Sequence, residues 1–252
     1  METAITIAGF DPSGWAGVAA DMKAFEDAGV RGLAAVTALT AQNTKGVTGV
    51  FPVRAAFLMR QVETLLQEFS PGAVKVGMLG TSENVSALLR LVKSGRLRNV
   101  VLDPVFLSTS GFPLLDNAGI RLIERLLPFV TLVTPNIDEA SFLAGIKIRG
   151  LEDMEEAARR IHGKGAKNVL VKGGHLEGEI ADVLFDGGRL HRFRSSRIKG
   201  RREIFHGTGC ILSSSIAAFL AMGEGDMRAA VKKAKGRLIR TLDERKGILR
   251  GS

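Results

Sequence analysis

Short runs of branched apolar residues alternate with amphipathic stretches over the first two thirds of this chain. No other feature restricts the fold as much. The strand-like runs cover residues 4–8, 32–39, 73–78, 99–102, 131–134 and 168–172, and the helical stretches between them cover 18–28, 54–69, 83–94, 117–127 and 154–163. In 54–69 the apolar residues Phe57, Leu58, Val62, Leu65, Leu66 and Phe69 recur at steps of three and four, the stripe of a helix lying on a sheet. Runs such as Val100-Val101-Leu102 are continuously apolar, as expected of a strand covered on both faces. The alternation predicts an α/β fold: a doubly wound, mostly parallel sheet flanked by helices. After Lys172 the pattern changes. Residues 180–185, Asp186-Gly187-Gly188 and 189–193 read as a late antiparallel hairpin, and two helices follow at 210–222 and 227–242. With no linker or repeat between these parts, a single domain over 1–252 is expected.

Of the 252 residues, 45% are hydrophobic, enough for a large core and incompatible with intrinsic disorder. The single cysteine, Cys210, excludes a disulfide scaffold and suits a reducing cytoplasm. The N-terminus lacks a basic signal segment, and the apolar runs are too short to span a bilayer, so no membrane association is expected. The net charge is +9 but unevenly placed: residues 1–186 hold 19 basic and 21 acidic side chains, and residues 187–252 hold 16 and 5. Arg189, Arg192, Arg194, Arg197, Lys199, Arg201 and Arg202 follow one another without an acid. That run reads as a solvated hairpin surface or as an anion-facing one. Within the anion reading, small phosphates are favoured over nucleic acid, because Phe193 is the only interleaved aromatic and no nucleic-acid module accompanies the run.

Open α/β sheets bind ligands beyond the carboxyl ends of their strands, which directs attention to the residues following each strand. After the first comes a glycine-rich loop, Gly9 to Gly17, with Asp11 as an acceptor; it is neither a Walker loop nor Gly-x-Gly-x-x-Gly. After the second comes Thr40-Ala41-Gln42-Asn43-Thr44, whose amides suit a heterocycle edge or an ordinary turn. Asp103 and Glu139 follow the fourth and fifth strands, where two carboxylates on one rim could hold a hydrated Mg²⁺ or Glu139 could simply complement a helix dipole. Asn136 is positioned to cap the helix that carries Glu139. Lys172 precedes two glycines and can reach phosphate oxygens, whereas His175 reads more simply as a structural donor. His206-Gly207-Thr208-Gly209-Cys210 opens an almost wholly apolar helix. Its free amides and dipole form an anion cradle, and Cys210 on the first turn is expected to have its thiol pKa lowered.

In this order the motifs resemble the ribokinase-like superfamily, and within it the hydroxymethylpyrimidine and hydroxymethylpyrimidine-phosphate kinases of thiamin synthesis. Asp11-Pro12-Ser13-Gly14, Ala20-Asp21-Met22-Lys23, Lys75-Val76-Gly77-Met78, Asp103-Pro104-Val105, Thr134-Pro135-Asn136, Lys172-Gly173-Gly174-His175 and the Gly-Thr-Gly-Cys turn carry the likeness. The resemblance implies an ATP- and Mg²⁺-dependent kinase with Cys210 as base and Gly207, Thr208 and Gly209 holding charge on the transferred group. It implies Gln42 on the pyrimidine, with Gly9, Asp21, Met78 and Val105 lining the pocket, Lys172 and Asn136 at ATP, and Glu139 and Asp103 at the metal. The expected partners are the pyrimidine and ATP, without nucleic acid or membrane, and a homodimer is expected on base rate. The chain departs from the family pattern at Phe10, Trp15, Ala19, Ile204, Phe205 and Ile211 and in its ending from Lys246 onward. Phe10 and Trp15 would shrink or lid the pocket, which keeps two alternatives open. One is a kinase of pyridoxal or a related heterocycle; the other is a catalytically weakened relative that binds a ligand or nucleic acid.

Overall fold

The computed structural model describes residues 1–43, 45–174, 180–195 and 202–250; of Ile180, Arg202, Glu203 and residues 248–250 it describes the backbone alone. Among the described residues nine strands form one sheet: β1 (Thr3–Phe10), β2 (Arg31–Asn43), β3 (Gly46–Pro52), β4 (Ala73–Val76), β5 (Val100–Leu102), β6 (Leu132–Val133), β7 (Val169–Val171), β8 (Ile180–Phe185) and β9 (Leu190–Ser195). Their order is β3-β2-β1-β4-β5-β6-β7-β8-β9. The pairings from β2 through β7 are parallel, and β3, β8 and β9 are antiparallel. The helices are α1 (Gly17–Asp27), α2 (Ala55–Glu68), α3 (Ser82–Lys93), α4 (Asn117–Ile123), α5 (Ile137–Ala144), α6 (Leu151–Gly163), α7 (Thr208–Ala221) and α8 (Met227–Arg250).

Two-residue alternation sorts the strand side chains onto two cores. Ile5, Ile7, Val74, Val76, Leu102 and Val133 join the core that includes Leu58 and Val62 of α2 and Leu88 and Val92 of α3. Ala4, Ala73, Val101, Leu132 and Leu170 face the other way, onto Phe25 of α1, Leu212 and Ile216 of α7 and Val231 of α8. The residues on this second face are small along β1 (Ala4, then Thr6), and α7 packs directly over the centre of the sheet. That packing explains why α7 is apolar nearly all round and almost entirely buried.

The alternating architecture and the late hairpin match the sequence expectation. Three differences bear on the site. Thr40 to Asn43, expected as a turn, continue β2 and pair with β3, an edge strand that the periodicity did not reveal. That extension is exposed on one side and leaves the main sheet as an antiparallel arm, so no core demanded an apolar pattern there. The final helix runs on past Leu242 to Arg250. Finally, Thr44, His175, Arg197, Lys199 and Arg201 lie outside the described residues.

Candidate active site

The carboxyl ends of β1, β2, β5, β6 and β7 converge on the N-terminus of α7. Gly207, just before that helix, has φ +70°, and a Cβ there would lie 1.9 Å from the Trp15 carbonyl oxygen. Only glycine allows the turn and the loop after β1 to come this close. Ile211 N–H donates to Gly207 O at 3.0 Å, closing the first helical turn, and Thr208 Oγ1 donates to Phe205 O at 3.0 Å. The amides of Thr208, Gly209 and Cys210 precede the first i−4 acceptor, so they face outward as an anion-binding end.

Lys172 stands against this turn. A Cβ on Gly209 would be 3.2 Å from Lys172 Nζ and 3.6 Å from Asp103 Oδ2. Lys172 Nζ donates to Asp103 Oδ1 at 2.6 Å, and Ser213 Oγ of α7 donates to Asp103 Oδ2 at 3.3 Å. Burial alone would depress the Lys172 pKa, but Asp103 and Glu139 outweigh it and keep the ammonium charged. Asn136 caps α5 in a reciprocal box: its side chain accepts from Glu139 N–H at 2.9 Å, and Glu139 Oε2 accepts from Asn136 N–H at 2.8 Å. Burial of Glu139, 3% exposed, pushes its carboxyl up to about 7, with Lys172 opposing and Asp103 adding to the rise.

The thiol of Cys210 differs from its expectation. Burial pushes it above its ordinary value; Asp21 and Asp103 push in the same direction, while Lys75 and the Gly17 N–H oppose them. The helix-end effect that motivated a lowered pKa acts against desolvation and two carboxylates, so the resting group is the neutral thiol.

Asp21 also departs from its expected place in a pocket wall. It is fully buried and accepts from Thr6 Oγ1 at 2.6 Å, from Lys75 Nζ at 2.9 and 2.7 Å and from Ser214 Oγ at 2.5 Å. Four contacts fill the acceptor directions of a carboxylate and leave none for a ligand. Asp21 therefore lies under the site, one helical turn below Cys210. Gly9 and Met78 do meet, since a Cβ on Gly9 would be 2.8 Å from Met78 Sδ, and Val105 packs on the small cluster that contains Met78. Gln42 projects from the β2 extension with Nε2 3.0 Å from His206 Nε2, and Thr40 Oγ1 donates to Gln42 Oε1 at 3.2 Å. Lys45 to Val47, residues 108–110 and His206 line a cleft of about 20 Å³, room for one water.

Two features were not legible as site chemistry. His206 Nε2 lies 3.0 Å from Asp11 Oδ2, and Asp11 also accepts from Ser13 N–H at 2.8 Å and Ala16 N–H at 3.0 Å. Burial raises the Asp11 carboxyl, but the bonds from His206 and Ser13 outweigh it and hold it below the usual carboxylate range. The Trp15 ring, expected as a lid, instead covers the Arg245 guanidinium of α8 at 4.4 Å. Phe10 ends β1 39% exposed. In the basic run, Arg192 Nε pairs with Glu155 of α6.

An α/β sheet of this order, with a glycine-bounded helix start, a lysine and two carboxylates gathered over its carboxyl edge, defines a ribokinase-like phosphotransferase. The chain belongs to the phosphomethylpyrimidine kinase family, whose model matches residues 11–251. It is 45% identical to the thiamine biosynthesis bifunctional protein ThiED of Geobacter sulfurreducens over 92% of this chain, and it spans 47% of that longer relative. It is 38% identical to the hydroxymethylpyrimidine/phosphomethylpyrimidine kinase of Aquifex aeolicus, covering 98% of this chain and 97% of that one. The crystal structure of phosphomethylpyrimidine kinase from Clostridium difficile superposes with a TM-score of 0.85 at 37% identity, covering 96% of this chain and all of that one. Among the described residues, no helix is long and apolar enough to cross a membrane.

Proposed function

We propose that this chain transfers the γ-phosphoryl group of ATP to the hydroxymethyl oxygen of 4-amino-5-hydroxymethyl-2-methylpyrimidine, and then phosphorylates the resulting monophosphate, in thiamin biosynthesis. The family membership supports the reaction class. The observation that carries the reading is the convergence of Lys172, Cys210 and the α7 amides on one point beyond the sheet. There the Gln42 amide meets the pyrimidine edge, while Gly9, Met78 and Val105 supply an apolar side. In the first transfer the Cys210 thiol first releases its proton to solvent, the thiolate then takes the hydroxyl proton, the freed oxygen pair forms the bond to phosphorus, and the bond to the β-phosphate oxygen breaks to release ADP. Gly207, Thr208 and Gly209 hold the charge that grows on the transferred group, and Lys172 and Asn136 orient the phosphates. Such a site works mainly by positioning and charge neutralisation.

Mg²⁺ fits the same rim as a hydrated ion. Among the described residues no three His, Cys, Asp or Glu side chains form a metal cluster, and Asp103 and Glu139 already accept from Lys172 and Asn136. These two carboxylates suit an ion that keeps most of its waters and leans on phosphate oxygens. When bound, it would neutralise triphosphate charge. The reading extends to a single kinase domain acting as a homodimer in the cytoplasm, without nucleic acid.

The test is ADP release with the pyrimidine alcohol, its monophosphate and pyridoxal, for wild type and Cys210→Ala. The reading expects turnover of both pyrimidines well above pyridoxal and a loss of the alcohol reaction in the variant. Turnover of pyridoxal alone, or of none of the three, refutes it.

A further inference from the structure

Arg245 lies on α8 in the stretch where the sequence pattern gave no functional signal, yet its guanidinium reaches the two segments that frame the α7 turn. Nη1 donates to Ile204 O at 3.2 Å and to His206 O at 2.6 Å, and Nη2 donates to Trp15 O at 3.1 Å. The Trp15 ring covers one guanidinium face, and the residue is 9% exposed. Two of the three carbonyls belong to the chain entering the α7 turn. The third belongs to the loop packed on that turn, and its oxygen is the atom that excludes a side chain at Gly207. The planar guanidinium presents its donors to these three carbonyls in a fixed fork, whereas an ammonium concentrates its three donors on one atom at the end of a flexible stem. Burial lowers the Arg245 pKa, with Cys210 and Asp11 opposing, and because the three acceptors are neutral they leave the guanidinium charge uncancelled beside the helix start.

We propose that Arg245 is a positioning residue for phosphoryl transfer: it fixes the loop after β1 and the Gly207 turn in one arrangement and places a positive charge beneath the α7 amides. The proposal rests on reading that turn as the phosphoryl cradle. It assigns a task to Trp15, one of the chain's departures from the family pattern: the ring shields the guanidinium on one side. It also accounts for α8 continuing past Leu242, since a shorter helix would not deliver the arginine.

The test uses Arg245→Met, Arg245→Gln and Arg245→Lys, with Arg240→Met on the exposed side of the same helix as control. Two quantities are read: kcat and KM for the pyrimidine alcohol, and the pH midpoint of iodoacetamide alkylation, which reports Cys210 alone because the chain has one cysteine. Arg245→Met is expected to lose about 100-fold in kcat with a nearly unchanged pyrimidine KM, the effect of a displaced cradle. Its alkylation midpoint is expected to rise as the nearby charge disappears. Arg245→Lys should restore the midpoint but only part of kcat, Arg245→Gln should raise the midpoint with a smaller kcat loss than methionine, and Arg240→Met should match wild type. If Arg245→Met does not fold, the glutamine and lysine variants carry both readouts. A kcat loss with an unmoved midpoint and no recovery by lysine would reduce Arg245 to a strap and overturn the proposal, as would wild-type values in every variant. Alkylation needs no substrate, so a wild type inactive on pyrimidines sinks the functional reading while the midpoint still tests Arg245.

Discussion

The fully buried pair beneath the site gives the sharpest energetic prediction. Asp21 and Lys75 have no exposed side-chain surface, and Lys75 Nζ approaches Asp21 Oδ2 to 2.7 Å. Burial would depress the lysine, but the Asp21 charge outweighs it and holds Lys75 protonated above its ordinary range. Asp21→Asn keeps the shape and removes the counter-charge, stranding an ammonium in the core. Breaking such a pair costs about 3–5 kcal/mol. With an unfolding entropy of about 2.1 cal/mol/K per residue, a chain of this length has roughly 0.5 kcal/mol/K, so the melting midpoint should fall by about 6–9 °C. Adding Lys75→Met removes the stranded charge, and the double variant should regain about 2 kcal/mol or more over Asp21→Asn. The assay is urea unfolding of wild type, both single variants and the double variant, combined as a double-mutant cycle. A loss under 1 kcal/mol for Asp21→Asn, or a double variant no more stable than it, would refute the claim that the pair is mutually dependent.

Cys210→Ala should slow the first phosphorylation by about 10²–10⁴-fold but spare the second, because a phosphate monoester with a second pKa near 6 is already ionised and needs no base; separate initial rates on the alcohol and the monophosphate check this. As the thiol is pushed above its ordinary value, kcat/KM for the alcohol should rise tenfold per pH unit through neutrality, and a flat profile would remove the thiolate from the mechanism. Gly207→Ala should abolish measurable turnover, since its Cβ falls 1.9 Å from a backbone oxygen at a positive φ; retained activity would show that the turn can shift. Glu139, raised to about 7, favours its neutral form in the fold, so its contribution is complete below pH 4.5 and lost as pH rises to about 7. Wild type should therefore lose a few kcal/mol relative to Glu139→Gln across that window in paired urea titrations, and parallel curves would refute the shift.

What the sequence made legible follows from what leaves a periodic or chemical trace. The parallel strands announced themselves because both faces are covered, as did α7, whose apolar surround marks a buried helix. The Gly-Thr-Gly-Cys turn was readable because a backbone of that shape accepts few other residues. The β2–β3 arm left no such trace, since its residues are half exposed and its amides resemble turn chemistry. The acidity of Cys210 was misjudged because local dipoles are visible in a sequence while desolvation and the carboxylates of Asp21 and Asp103 arrive only with the fold. Asp21 did carry a signal: with Val18 and Phe25 it falls on the buried stripe of α1, and Lys75 interrupts the run Val74 to Val76. Two opposite charges on faces meant for apolar residues implied each other. Arg245 carried none, because an arginine on a charged helix is ordinary until its carbonyl partners are known.

The bonds around the Gly207 turn join residues far apart along the chain: 195 positions separate Asp11 from His206, and 230 separate Trp15 from Arg245. During synthesis at about 5–20 residues per second, the loop after β1 is translated roughly 12–46 s before Arg245. Until then the Trp15 carbonyl and indole lack their arginine partner. A nascent chain stalled short of α8 would carry most of the sheet and nearly every family motif, yet lack the last partner of that loop.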